Sequence, residues 1–299
     1  MRLVALLCFG AIVAGCGAAR GASETAGHRL RVLVFNIHAG KDAAGVDNLS
    51  RVAALVLETK ADIALLQEVD RRTRRSALND QPAALQRATR LHVAFGKTLD
   101  YDGGDYGIAI LSRWPISAET LIHLPVDPPQ QRAGGSMEPR GVLRAVLAAP
   151  FGSISVFNTH LDPSGDDHWR RQEADSLLRL VLREATAGTS FVLAGGDFNS
   201  TPESAVQGAL REGGLLDAWP TCGRGPGLSY PAEAPVKRID YLFLTDGIHC
   251  TSADVLSTPA SDHRPLIVEV TLLRAIDAAH RPTATTRRRG ANPPLARRV

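Results

Sequence analysis

The sequence predicts an α/β fold in which β-sheets carry amphipathic helices on their outer faces. Short β-branched or apolar runs alternate with stretches whose apolar residues recur at helical spacing. Several of those runs end on a polar residue, at Asn36, Glu68, His160, Asp197 and Asp240. Between His28 and Leu273 no Pro/Gly-rich linker divides the chain and no repeat of fixed period occurs, so one domain is expected over residues 28–273.

Leu30 to Ile37 reads as a buried strand. Leu49, Val52, Ala53, Val56 and Leu57 then fall on one helical face, with Asp47 or Asn48 placed to cap its start. Ile63 to Leu66 is a second buried strand, leading into Gln67 and Glu68. Gly107 to Leu111, Val142 to Leu147 and Ile154 to Phe157 read as further strands. Trp169 to Glu184 is a helix with Ala174, Leu177, Leu178 and Val181 on one face. Phe191 to Ala194, Ile239 to Leu244 and Leu266 to Leu272 complete the strands.

The chain has 299 residues, 44% hydrophobic and 22% charged, with a formal net charge of +3. That excess sits after Leu273, where Arg274, Arg281, Arg287, Arg288, Arg289, Arg297 and Arg298 face only Asp277. The rest is neutral to slightly acidic, and no basic face for gripping a polyanion is evident between His28 and Leu273. Residues 274–299 lack apolar periodicity and read as a basic disordered tail.

At the other end, Arg2 precedes an apolar run from Leu3 to Val13, too short for a permanent membrane span. It reads as a signal peptide over residues 1–16. Val13-Ala14-Gly15-Cys16 resembles the lipobox of bacterial lipoproteins, in which the cysteine is lipidated; a plain signal peptide with a chance cysteine is the alternative. Lipidation at Cys16 would make the membrane a partner and residues 17–27 a flexible tether. Export permits a Cys222–Cys250 disulfide, and two reduced thiols are the other possibility.

Six segments carry chemistry. Gly195-Gly196-Asp197-Phe198-Asn199 breaks an apolar strand and presents a carboxylate and an amide two residues apart. Val156 to Asp162 places His160 at a strand end, and Ser261-Asp262-His263-Arg264-Pro265 sets an acid beside an imidazole. Glu68 and Asn36 end strands, and Asp240 is embedded in one; a carboxylate so placed is solvated, paired or metal-bound, because burial alone is prohibitive. Singly, each segment has a plain reading as a turn, a satisfied core histidine or a surface ion pair.

In this order along the chain, these motifs resemble the endonuclease/exonuclease/phosphatase superfamily from Leu30 to Val270. The resemblance implies a four-layered α/β sandwich, two mixed sheets packed face to face with helices outside. It also implies a monomeric, metal-dependent phosphoric ester hydrolase. Glu68, Asn36 and Asp262 would then be metal contacts, suited as oxygen donors to Mg²⁺ or Mn²⁺. Asp197 would orient or deprotonate the attacking water, Asn199 would hold the phosphate or the metal's water, His160 and His263 would stabilise the phosphate oxygens, and Asp240 would fix the tautomer of His263. Tyr106 to Arg113 and Glu138 to Gly141 are similar to compact bacterial members and GPI-lipid-remodelling relatives. Through them Tyr106 and Arg140 are implied to contact substrate, with a surface salt bridge as the plain reading of Arg140.

Two features narrow the substrate. His160 stands where AP endonucleases carry a tyrosine, which disfavours abasic-site repair. The Cys16 motif and the absent basic face favour a lipid headgroup or other small phosphate ester near a membrane, with no stable nucleic-acid partner. A secreted nuclease of the DNase I kind and a catalytically dead binding protein are the alternatives.

Overall fold

The computed structural model describes residues 27–124, 126–127, 138–188 and 190–273. Cys16, the tether up to residue 26 and the Arg-rich tail lie outside the described residues. The strands form two six-stranded sheets. In the first, the order is β11 (Ile248–Val255), β12 (Leu266–Leu272), β1 (His28–Asn36), β2 (Ile63–Arg71), β4 (Gly104–Ser112) and β3 (His92–Tyr101). In the second it is β5 (Ile116–His123), β6 (Gly141–Ala149), β7 (Gly152–His160), β8 (Ser190–Asp197), β10 (Asp240–Leu244) and β9 (Leu216–Asp217). Helices α1 (Leu49–Glu58) and α2 (Gln81–Thr89) belong to the first half, α3 (His168–Thr186), α4 (Ala205–Glu212) and α5 (Ala218–Cys222) to the second.

The period of two along a strand sorts the apolar side chains into layers. On β1, Val32 and Val34 face the second sheet, where they meet Leu143, Val156, Leu193 and Leu242 in the inter-sheet core. Their neighbours Leu33 and Phe35 face outward, against Val52, Val56 and Leu85 of α1 and α2. The second sheet repeats the arrangement, with Phe157, Ala194 and Phe243 packed under Leu177 and Val181 of α3 and Val206 and Leu210 of α4. Helix, sheet, sheet and helix make the four-layered sandwich, and burial on both faces explains the near-continuous apolar strands.

Two parallel pairs place the polar strand ends. β1 pairs with β2 across the α1 crossover, and β7 pairs with β8 across α3, all other pairings being antiparallel. Parallel strands present both carboxyl ends at one edge, so Asn36 lies beside Gln67, and His160 lies opposite Asp197. The antiparallel neighbours contribute their starts: Asp240 opposes Asp197, and residues 261–263 immediately precede β12, whose Leu266 opposes Val34.

The β2–β4 ladder shifts register between Leu66 and Val69, a β-bulge holding Gln67 and Glu68. Asn158, from β7 in the other sheet, braces it. Its amide nitrogen donates to Leu66 O at 2.9 Å and Ala109 O at 2.8 Å, and its oxygen accepts from Gln67 Nε2 at 2.7 Å. Gly196 pairs with Thr159 of β7: its φ is +145°, and a Cβ there would stand 1.9 Å from Thr159 O. Only glycine fits.

Several elements differ from the sequence reading. The first strand stops at Asn36 rather than Ile37, because the chain turns through His38 and Ala39, both at positive φ. Asn48 precedes α1 without a side-chain capping bond, and Asp47 accepts from Leu49 N at a long 3.4 Å. α2, β3, β5, α4, β9, α5 and β11 are additions, most of them short, edge-exposed or interrupted by Gly96 or Pro82. Cys222 and Cys250 are bonded, tying α5 to β11.

Asn158→Ala removes the partner of two buried carbonyls and of an amide. It is expected to lower unfolding free energy by about 3 kcal/mol, read as a lower urea midpoint by circular dichroism; an unchanged midpoint would refute the brace.

Candidate active site

The shared edge opens into a cavity of about 660 Å³. Glu68, Tyr106, Arg140, His160, Asp197, Asn199, Asp262 and His263 line it, while Asn36 and Asp240 lie buried behind that wall. Every site residue expected from the sequence is therefore in or against one cavity.

Asp197 is the centre. It is buried at the end of β8, where Oδ1 accepts from Asn199 N at 2.9 Å and Oδ2 from Asn36 Nδ2 at 3.1 Å. His160 Nε2 and His263 Nε2 lie 3.5 and 3.6 Å from the same Oδ2. Behind His263, Asp240 Oδ2 accepts from Nδ1 at 3.0 Å and so leaves Nε2 as the nitrogen aimed at the centre. The Tyr230 ring packs against His263 at 4.8 Å between centroids. Asn199, held at φ +47°, donates to Leu161 O at 3.0 Å and approaches His160 Nε2 at 3.1 Å.

Glu68 reaches the cavity because of the bulge. Its φ is +57°, an uncommon conformation for a non-glycine residue, and strain of this kind collects at functional positions. Asn36 Nδ2 donates to Glu68 Oε1 at 3.0 Å as well as to Asp197, so one amide spans the two carboxylates and the two sheets. The Asn36 oxygen instead accepts from His38 N at 3.1 Å, so in this structure the amide spaces the carboxylates and turns its oxygen away from them. Ser261 donates to Asn36 O at 2.7 Å, locking residues 261–263 to the end of β1 and setting Asp262 at the rim.

These groups perturb one another. Burial pushes the Asp197 carboxyl up to about 7, against the opposing pull of His263 and with the help of Asp240. Burial disfavours the charge on His263, yet Asp240 and Asp197 hold it up to about 10. Burial, with the positive charges of Arg140 and His263, holds His160 well below the usual histidine range. Near neutral pH the site thus contains a protonated imidazole, a neutral imidazole and a carboxyl poised to gain or lose a proton. Arg140 is buried and paired with Glu138 at 2.7 Å.

Oxygen donors that fit a divalent cation are present. Glu68 and Asp262 are partly exposed carboxylates on the cavity wall, and among the described residues neither is paired with Lys or Arg. Asp197, Asp240 and His263 form a second group that could hold a metal, with ligand atoms within 4.8 Å of one another. There, however, His263 and Asp240 already satisfy each other.

Sequence reading missed Arg75, Tyr101, Tyr230 and Lys237, which also line the cavity. The run Arg71-Arg72-Thr73-Arg74-Arg75 looks like a solvated basic stretch, and only the burial of Asp70 distinguishes Arg75 within it.

Escherichia coli K12 YbhP is 29% identical over 184 residues, 60% of this chain and 68% of that protein. The inositol phosphosphingolipids phospholipase C of Schizosaccharomyces pombe is 29% identical over 201 residues, 64% of this chain but only 46% of that one. The mannosyl-6-phosphatase Bt3783 of Bacteroides thetaiotaomicron shares the fold, with a TM-score of 0.67, 18% identity and coverage of 81% of this chain and 99% of that one. The family model described as Endonuclease/Exonuclease/phosphatase family matches residues 33–263, which run from within β1 to the segment just before β12 and hold every site residue from Asn36 to His263, and the chain belongs to that family of phosphate-ester hydrolases.

Proposed function

We propose that this chain hydrolyses a small phosphate ester by divalent-metal-assisted attack of water. The observation that carries the reading is the convergence on Asp197 Oδ2 of His160, His263 and Asn36, with Asp240 behind His263. The phospholipase C relative agrees with it.

Asp197 is the base. Its raised affinity for protons lets it take one from a water in the cavity as that water's oxygen bonds to phosphorus. The phosphorus–oxygen bond to the leaving group then breaks, and the departing oxygen takes a proton from solvent, so one water is consumed per ester. His263 donates an Nε2–H hydrogen bond to a non-bridging oxygen, and Asp240, accepting from Nδ1, stabilises the charged imidazole that makes this bond. Neutral His160 and Asn199 orient the phosphate from the other side, and Arg140, with its planar fork, adds a fixed positive charge. A divalent cation, when bound, neutralises the charge that grows on the phosphoryl oxygens. Glu68 and Asp262 would hold it, with Asn36 fixing the Glu68 carboxylate. This position suits Mg²⁺ or Mn²⁺, which keep waters and prefer oxygen, better than the closed His263–Asp240 pair.

Charge favours a small ester over duplex DNA. Among the described residues the cavity carries four Lys or Arg side chains against five Asp or Glu, the reverse of a groove that displaces counterions from a polyanion. We further propose that Cys16 is lipidated and holds the enzyme at the cell envelope. β1 begins at His28, at the sheet end away from the cavity, and its rise of about 3.3 Å per residue separates the two by roughly 26 Å. A tether entering there leaves the mouth open to the aqueous side.

Chelation by EDTA is expected to abolish hydrolysis of bis-p-nitrophenyl phosphate and added Mg²⁺ or Mn²⁺ to restore it, with Glu68→Gln raising the metal concentration needed at least tenfold. Metal-independent turnover would overturn the assignment. Asp197→Asn and His263→Ala should each lower kcat by several orders of magnitude, roughly 10³-fold or more, with unchanged circular dichroism. Wild-type kcat in either variant would remove that residue from the mechanism.

A further inference from the structure

Asp70 on β2 is completely buried, and a buried carboxylate must be paired. Arg75 supplies the pair: its Nε donates to Asp70 Oδ2 and its Nη2 to Oδ1, both at 2.8 Å, while Thr73 Oγ1 donates to Oδ2 at 2.7 Å. The Arg75 backbone N–H is fixed in turn by Asp102 Oδ2 at 2.7 Å. The guanidinium lies over two aromatic rings, 4.5 Å from the centroid of Tyr101 and 5.2 Å from that of Tyr106. This is a rigid stack of tyrosine and arginine, and three of the five guanidinium N–H donors remain after Asp70 is satisfied.

An ion pair closing the turn after β2 explains the Asp70 contact but not what the stack faces. Arg75, Tyr101 and Tyr106 all line the catalytic cavity. They also lead outward from its centre: Tyr106, next to Glu68 and Arg140, is 7% exposed, the Arg75 side chain 31%, and Tyr101 40%. Among the described residues the Tyr106 hydroxyl has no hydrogen-bond partner.

The character of the surrounding wall indicates what binds there. Arg75, Arg140 and Arg170 are each paired, with Asp70, Glu138 and Asp167. Of the described lining Lys and Arg residues only Lys237, which is exposed, stands outside an ion pair, too little positive charge to build a site for a second phosphate. Seven lining residues carry hydroxyls, whereas Pro163 and Ile239 are the only aliphatic side chains among the described lining residues, so an acyl chain finds no apolar wall. A sugar or cyclitol suits both features: its hydroxyls exchange hydrogen bonds with the carboxylates, hydroxyls and spare guanidinium donors, and its C–H face rests on an exposed tyrosine ring.

We propose that Arg75, Tyr101 and Tyr106 form a leaving-group subsite for a polyhydroxylated ring, making the substrate a phosphate ester of a sugar or cyclitol, free or as a lipid headgroup. This subsite rests on the phosphoesterase reading of the catalytic centre.

The test compares purified wild type with Tyr101→Ala, chosen because Tyr101 is exposed whereas replacing Arg75 would strand a buried carboxylate. Initial rates with Mg²⁺ or Mn²⁺ are measured on glucose 6-phosphate, myo-inositol 1-phosphate, n-hexyl phosphate and p-nitrophenyl phosphate. The expected result is a kcat/KM at least tenfold higher for a polyol ester than for n-hexyl phosphate, with the ratio falling about tenfold in Tyr101→Ala, chiefly through KM. Release of free inositol, with phosphatidate as the other product, from phosphatidylinositol vesicles, with phosphatidylcholine vesicles left intact, supports a lipid headgroup; activity on the free polyol esters alone supports a soluble substrate. Turnover of p-nitrophenyl phosphate with no polyol preference, or with the preference intact in Tyr101→Ala, overturns the subsite and leaves the phosphoesterase standing. No hydrolysis of any ester removes both.

Discussion

The site depends on one irregularity, the bulge at Gln67 and Glu68, and on the asparagine that spans the sandwich to hold it. A regular β2 would keep the alternation of faces and carry Glu68 to the wrong one. The extra residue breaks the ladder, and Asn158 supplies donors to Leu66 O and Ala109 O beside the break. Because Asn158 belongs to the other sheet, the bond that repairs the bulge also fixes the offset between the sheets. Asn36 can then reach Glu68 in its own sheet and Asp197 in the other with a single amide group.

Given that alignment, the electrostatics follow from crowding. Asp197, Asp240 and His263 are buried together, and each is tolerable only because the others are near. The two carboxylates hold a proton on His263, while their mutual repulsion and the lack of water raise the proton affinity of Asp197. Asp240 meets Nδ1 and Asp197 lies towards Nε2, so the imidazole has one resting orientation. His160, under the influence of Arg140 and His263, stays uncharged. Two histidines thus occupy opposite states because of which charges lie beside them.

Much of the fold was legible because most central strands are buried on both faces and read as unbroken apolar runs. β5 and β11 escaped because they lie at sheet edges, where exposure removes that signal. α2 escaped because it is short and carries Pro82 in its first turn, with Asp80 capping Ala83 N at 3.1 Å. The site residues were legible because polar residues ending apolar strands stand out. Arg75 did not stand out, since a guanidinium pinned to a buried aspartate reads in sequence like its solvated neighbours.

The sequence by itself determined the α/β character, the strand ends that carry chemistry and the kinds of donor available, because alternation of apolar residues and the cost of burying lone charges act locally. It left open how those ends meet. Tertiary structure decided that Cys222 bonds Cys250, that Asn36 presents its nitrogen to the carboxylates, and that Asp70 and Arg75 stiffen a tyrosine wall at the mouth. Each of these depends on residues 5 to 161 positions apart, brought together by sheet register and by burial.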